Sequence, residues 1–247
     1  YILLTRKNLQ ELEQHHDIVS TLSDIKDKVV FSVPTIIRDK NDGFLNGEYY
    51  KERIPALLSQ GFNQFQLSNL GTLGLFDGKD VVLYADYPLY CLNPFSSVKL
   101  RELGFSRHTL SPEDDRDNLR TLCAHDADVI VYQDTPLFTS EACIWANMKN
   151  ACPGKSQCGF NQMVIENERG DRFMAINDAC KTVVFNEKPF SLTHFISDLI
   201  EDGHRSFRID FCHKDYTPEM LQDVLSHVQS RSKIKNAMMG NFERGLR

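Results

Sequence analysis

Short apolar runs and helix-patterned stretches take turns along most of this chain. Residues 29–33, 65–67, 81–85, 105–110, 129–132 and 207–211 are apolar runs of strand length, each bounded by turn formers such as Pro34, Asn69, Gly71 and Asn93. Between them lie helical patterns. Residues 5–27 repeat Leu9, Leu12, Ile18, Leu22 and Ile25 among charged neighbours. Residues 48–60 form a second pattern that Pro55 can kink and Gly61 ends. Residues 96–103 stop at Gly104. Ser111-Pro112-Glu113 reads as the opening of a helix to Ala124, with serine as cap and proline in the first turn. Residues 191–201 and 217–229 complete the set. Alternation at this length favours a parallel sheet covered by helices.

Two architectures satisfy that pattern, an open doubly wound sheet and part of a (β/α)8 barrel. No GxGxxG or Walker sequence is present, which disfavours an ordinary nucleotide-binding sheet. Six strand candidates fall short of the eight of a closed barrel. The expectation is an α/β chain of the TIM-barrel type, an incomplete barrel lacking N-terminal strands, with a cysteine-rich β-hairpin insertion. It is read as one domain over 1–247. Within it, βα units span 29–137, the cysteine-bearing insertion 138–190, and a closing βα unit and tail 191–247. The chain of 247 residues, 41% hydrophobic, is long enough to bury one large core. It begins with Tyr1 rather than Met, as a processed chain or a piece of a longer protein does, so a further N-terminal region of the same protein is a candidate partner.

Charge and cysteine usage narrow the function classes. The net charge is −6, whereas duplex-binding proteins carry a basic face. The one basic run, Arg231, Lys233, Lys235, Arg244 and Arg247, reads as a solvated tail that leaves local RNA contact open. No run is long and apolar enough to span a bilayer, and the polar stretch after Tyr1 does not read as a signal peptide. Seven cysteines, an odd number without a secretory mark, argue against a disulfide framework and for reduced thiols in the cytoplasm.

Four of those cysteines, Cys143, Cys152, Cys158 and Cys180, fall in the one region where the alternation breaks, spaced Cys-x8-Cys-x5-Cys-x21-Cys. Loop formers surround them: Pro136, Asn147, Pro153, Gly154, Lys155, Ser156, Gln157 and Gly159. Four soft thiolates suit Zn²⁺ or an iron–sulfur cluster. The absence of tight Cys-x2-Cys knuckles tilts the choice toward a [4Fe–4S] cluster, with Zn as the alternative. Two alternating runs around Arg169-Gly170-Asp171 read as a hairpin, and residues 182–185 as a third strand. Cys91, Cys123 and Cys212 fit ordinary core positions.

The segment Pro136-Leu-Phe-Thr-Ser-Glu-Ala-Cys143 resembles a stretch of the peptidase U32 family. Asn167-Glu-Arg-Gly-Asp-Arg-Phe173, Asn177-Asp-Ala-Cys180 and Phe185-Asn-Glu-Lys-Pro-Phe190 are similar to further stretches of it. So are Phe207-Arg-Ile-Asp-Phe211, Gly240-Asn-Phe-Glu-Arg-Gly245, Leu67-Ser-Asn-Leu-Gly71 and Thr109-Leu-Ser-Pro-Glu113. The likeness covers roughly residues 29–247. Asn167 and Asn241 stand where the family usually has Asp and His. The resemblance implies either a collagenase-type peptidase (a hydrolase) or an enzyme of oxygen-independent hydroxylation. The latter acts on RNA bases (an RNA modification) or on small aromatic ubiquinone precursors, and holds a [4Fe–4S] cluster on Cys143, Cys152, Cys158 and Cys180.

Other chemistry is thinly marked. No Gly-x-Ser-x-Gly or His-Glu-x-x-His occurs. Cys212 and His213 are adjacent on a strand pattern and point to opposite faces. His125 beside Cys123 has the same weakness. Barrel enzymes place their sites at the C-terminal ends of strands, which makes Glu113, Glu141 and Asp210 catalytic candidates. Asn69, Asn93 and Asp134 are substrate-binding candidates on the same ground, with Asp86 beside them. Tyr84, Tyr87 and Tyr90 could stack a ring. Hydroxylation is the leading expectation, the peptidase second, and a non-catalytic accessory domain stapled by a metal third.

Overall fold

The computed structural model describes residues 1–37, 47–123, 126–154, 158–159, 161–178 and 180–245. Of the residues singled out above, Ala124, His125, Lys155, Ser156, Gln157 and Arg247 lie outside that set. The fold is mixed α/β, with a parallel-rich sheet that curls into a half-barrel. Two compact units divide the chain. One comprises Tyr1–Ile130, Phe195–Arg208 and Gly240–Arg247, the other Val131–His194 and Ile209–Met239.

In the first unit the strands β1 (Ile2–Leu3), β2 (Phe31–Val33), β3 (Gln64–Leu67), β4 (Val82–Ala85), β5 (Phe105–Thr109) and β6 (Ala127–Gln133, which continues into the second unit) lie in sequence order. All neighbours pair in parallel, with Phe31 opposite Phe65 and Leu67 opposite Ala85. Helices α1 (Arg6–Gln14), α2 (His16–Asp24), α3 (Gly47–Ser59), α4 (Pro94–Glu102) and α5 (Arg116–Leu122) connect them. Alternation of side chains along each strand sorts the two faces. Phe31, Val33, Phe65 and Leu67 pack with Tyr50, Ile54 and Leu57 of α3, which recur on one face of that helix despite Pro55. The rings of Phe65 and Phe76 lie 4.8 Å apart. The intervening strand residues are polar and also buried. Ser32 donates to Gln66 (2.5 Å), and Gln66 donates to Thr109 (3.4 Å).

The second unit holds a four-stranded antiparallel sheet in the order β7 (Pro136–Ser140), β10 (Lys181–Asn186), β9 (Arg172–Asp178), β8 (Gln162–Glu166). A short helix α6 (Ile144–Met148) follows β7. β11 (Phe190–Ser191) runs antiparallel to the end of β6. The chain then returns to the first unit through helix α7 (Ile196–Glu201) and strand β12 (Phe207–Ile209, which crosses back at Ile209), and α8 (Pro218–Ser230) in the second unit comes last. The Thr217 side chain accepts from the Met220 amide to cap α8, as the Thr-Pro-Glu sequence predicts.

Four expectations are corrected. Residues 5–27 are not one helix but two, broken at His15, whose φ and ψ of −116° and 85° leave the helical region. The helix after β5 is capped by Asp115, not Ser111, because the Asp115 carboxylate accepts from the Asn118 amide (2.9 Å). Residues 191–201 open as strand and 3-10 turn before α7 starts at Ile196. The β8–β9 hairpin forms around Arg169-Gly170-Asp171, but none of the four cysteines stands in its strands.

Gly203, at φ +108°, turns the chain out of α7 and delivers His204 to the interior of the first unit. Its ring bonds to the Leu119 carbonyl, and Nε2 has no partner. Burial holds the imidazole below its ordinary pKa, because a second N–H would have no acceptor. The unfolded chain therefore takes up a proton that the folded chain resists. Stability contributed by neutral His204 is present above about pH 6.5 and is lost as pH falls below that value. Thermal melts from neutral pH down to mild acid should show a falling midpoint in the native protein and a flatter curve in His204→Gln.

Candidate functional site

The register of the antiparallel sheet places both cysteine-bearing connections, β7–β8 and β9–β10, at one end of it. Ser140, which ends β7, faces Thr182 at the start of β10, and Asp178, which ends β9, faces Lys181. Gln162, which starts β8, faces Ile176 near the end of β9. All four strands thus open their cysteine-bearing connections on the same edge. With neighbouring strands about 4.8 Å apart, that edge is roughly 14 Å across, a span that short loops cross easily.

Each cysteine is held differently. Cys143 is the residue before α6, and its carbonyl accepts from Asn147 (3.2 Å). Its loop is fastened by Thr182, whose hydroxyl donates to the Ala142 carbonyl (3.0 Å) and accepts from the Ile144 amide (2.9 Å). Cys180 sits in the β9–β10 turn at φ +69°, a conformation that costs a non-glycine residue about 1–3 kcal/mol. The Asn177 carboxamide offsets that by accepting from the Cys180 amide (2.9 Å). Cys158 donates its amide to the Gly154 carbonyl (3.0 Å), and the Gly154 amide approaches the Cys152 sulfur at 3.4 Å. N–H groups on sulfur steady thiolate ligands. Cys143 and Cys158 pack on a shared floor of Ala175 and Val184. Cys152 is exposed, and none of the four is in a disulfide.

Among the described residues, no three His, Cys, Asp or Glu side chains form a ready-made ion site. By type, the donors suit a thiolate-bound metal: four unbridged cysteines, all outside regular strands, in the two connections that leave this edge. Removing the Thr182 hydroxyl tests the fastening. Thr182 is 2% exposed, so Thr182→Val leaves the Ala142 carbonyl and Ile144 amide unsatisfied, at about 1–3 kcal/mol. Hydrogen exchange at Ile144 should quicken accordingly.

The strand-end candidates separate into groups. Asn69 and Asn93 are caps: Asn69 accepts from the Gly71 amide (2.8 Å), and Asn93 from the Ser96 amide (2.9 Å). Glu113 is exposed; its carbonyl accepts from Asn241 (3.1 Å), and its carboxylate hydrogen-bonds Tyr90. Glu141 pairs with Lys181 at 3.9 Å. Asp210 accepts from the Cys212 amide at 2.9 Å. Asp134, 4% exposed, receives hydrogen bonds from Lys214 and Tyr216, and Tyr216 also meets the Tyr132 hydroxyl. Burial, reinforced by the Asp134 carboxylate, pushes the Tyr216 phenol far above its ordinary pKa. This cluster ties the segment after β12 to the end of β6 within the second unit.

Two arrangements escaped the sequence reading. Asp86 at the end of β4 forms a buried ion pair with Arg208 of β12 (2.7 Å) and also accepts from Ser68 (3.0 Å) and the Tyr87 amide (2.8 Å). Tyr1 lies over the Arg208 guanidinium at 5.0 Å and donates to Asp128 (3.1 Å). Ser97 of α4 and His108 of β5 approach to 2.9 Å. That pair resembles a nucleophile and base, but both residues are buried, at 4% and 6% exposure. The contact ties the helix to the strand.

No family model matches this chain, and neither a curated protein nor a solved structure matches it. No helix among the described residues is long and apolar enough to cross a membrane.

Proposed function

We propose that this chain carries the cysteine centre of an iron–sulfur enzyme of oxygen-independent hydroxylation, acting on an RNA base or a small aromatic ring. The observation that carries this reading is the common edge at which both cysteine-bearing connections, β7–β8 and β9–β10, leave the antiparallel sheet. The resemblance to the peptidase U32 family supports it, because the same four positions match that family's ligands. Cys143, Cys152, Cys158 and Cys180 hold the [4Fe–4S] cluster, which supplies one-electron chemistry when bound. Thr182 fixes the Cys143 loop, Asn177 the Cys180 turn, and the Gly154 amide donates toward the Cys152 sulfur. The peptidase alternative ranks lower, since no Gly-x-Ser-x-Gly or His-Glu-x-x-His motif marks the chain and the Ser97–His108 pair described above is buried.

Metal and sulfide analysis tests this. Protein purified and reconstituted without oxygen, with ferrous iron and sulfide, should bind about four of each per chain and show broad visible absorbance. Stoichiometric zinc with no sulfide would remove the redox role and leave a metal-stapled accessory domain. Absence of any bound metal would remove the centre altogether.

A further inference from the structure

We propose that Trp145 closes over the cysteine centre and shields it from solvent, a role that rests on the iron–sulfur reading above. Trp145 is the chain's single tryptophan and immediately follows Ile144 and Cys143. Within the second unit, Cys143, Ile144, Trp145 and Cys158 pack with Met163, Ile165 and Phe173 on the floor of Ala175 and Val184. Two of the four cysteines and the indole therefore share one apolar cluster. Helix α6 has five residues, too few to be stable alone. What holds it is the apolar contact of Ile144 and Trp145 with the floor, together with the Thr182 bond to the Ile144 amide. On its other side the indole meets water and charge: it is half-buried, and the Lys149 ammonium lies over the ring at 5.0 Å. The side chain thus belongs to the apolar cluster that contains Cys143 and Cys158 and also presents part of its surface to solvent. An apolar wall of this kind governs water access to a metal centre and the rate at which it is lost.

Trp145 is a positioning residue by this argument, and the test reads retention of the centre rather than turnover. The full chain is reconstituted anaerobically with ferrous iron and sulfide, then challenged with a chelator while the visible absorbance is followed. Trp145→Ala should lose the centre about tenfold faster than the native protein, with Trp145→Phe between them. Met148→Ala, which trims an exposed side chain on the same helix, should keep the native rate. In the native protein, fluorescence from the single indole should fall as the centre loads, a readout that needs no substitution. If the native protein loads, but Trp145→Ala releases the centre at the native rate or the fluorescence does not change on loading, shielding by Trp145 is overturned alone. If the native protein takes up neither iron nor sulfide, the parent reading fails and takes this one with it.

Discussion

Replacing Asp86 by alanine is expected to destabilise the protein by about 3–5 kcal/mol, the cost of breaking a buried ion pair by removing one member. The Asp86 and Arg208 side chains are 9% and 6% exposed, so neither is rescued by solvent. Removing the carboxylate takes the ion-pair partner at 2.7 Å from the guanidinium and also the acceptor from the Ser68 hydroxyl and the Tyr87 amide. Asp86→Asn keeps an acceptor for those two groups and should cost less. The paired change Asp86→Leu with Arg208→Met removes both charges together and should recover much of the loss. Denaturant unfolding of the four proteins decides the matter. A loss below about 1 kcal/mol for Asp86→Ala would mean that water reaches Arg208 and that the pair behaves as a surface contact.

The second large effect is chemical. Cys143→Ser and Cys180→Ser should each abolish the bound iron and sulfide of the reconstituted protein, because a serine hydroxyl is a hard, weakly acidic donor where a soft thiolate is required. Cys91→Ser and Cys123→Ser serve as comparisons. Cys91 is 2% exposed in the core of the first unit, and Cys123 lies against Gly203, where an added Cβ would meet its sulfur at 3.1 Å. Those two changes should leave metal content as it is. Equal loss from all four variants would indicate a general folding defect instead of a ligand set. Full retention in Cys143→Ser and Cys180→Ser would exclude both as ligands.

How far the sequence leads depends on which signal each element leaves. The strands β2 to β6 are legible because each is a compact apolar run between turn formers, and α8 because Thr217-Pro218-Glu219 marks its start. β1 escapes because Ile2 and Leu3 form only two residues of strand, which no period can reveal. β7 escapes because Pro136 and three outward-facing residues make Pro136–Ser140 read as loop. The buried polar row of Ser32, Gln66 and Thr109 is invisible to an apolar pattern, since polar residues inside a sheet announce themselves only through partners far away in sequence. The cysteines were conspicuous by type and spacing. That their loops share an edge required the register of β7, β8, β9 and β10. Asn69 and Asn93 stand out by their positions at strand ends, and the bonds they make are those of helix caps.

The two units are interleaved along the chain, with crossings after Ile130, His194, Arg208 and Met239. Cutting the gene at any one crossing therefore yields no self-sufficient fragment. A product ending at Ile130 would keep Asp86 but forfeit Arg208, His204 and the segment from Gly240 onward, whose Phe242 carbonyl receives the Arg116 amide. Dissection by truncation will give misfolded pieces, and point substitution in the intact polypeptide is the route by which either half can be interrogated.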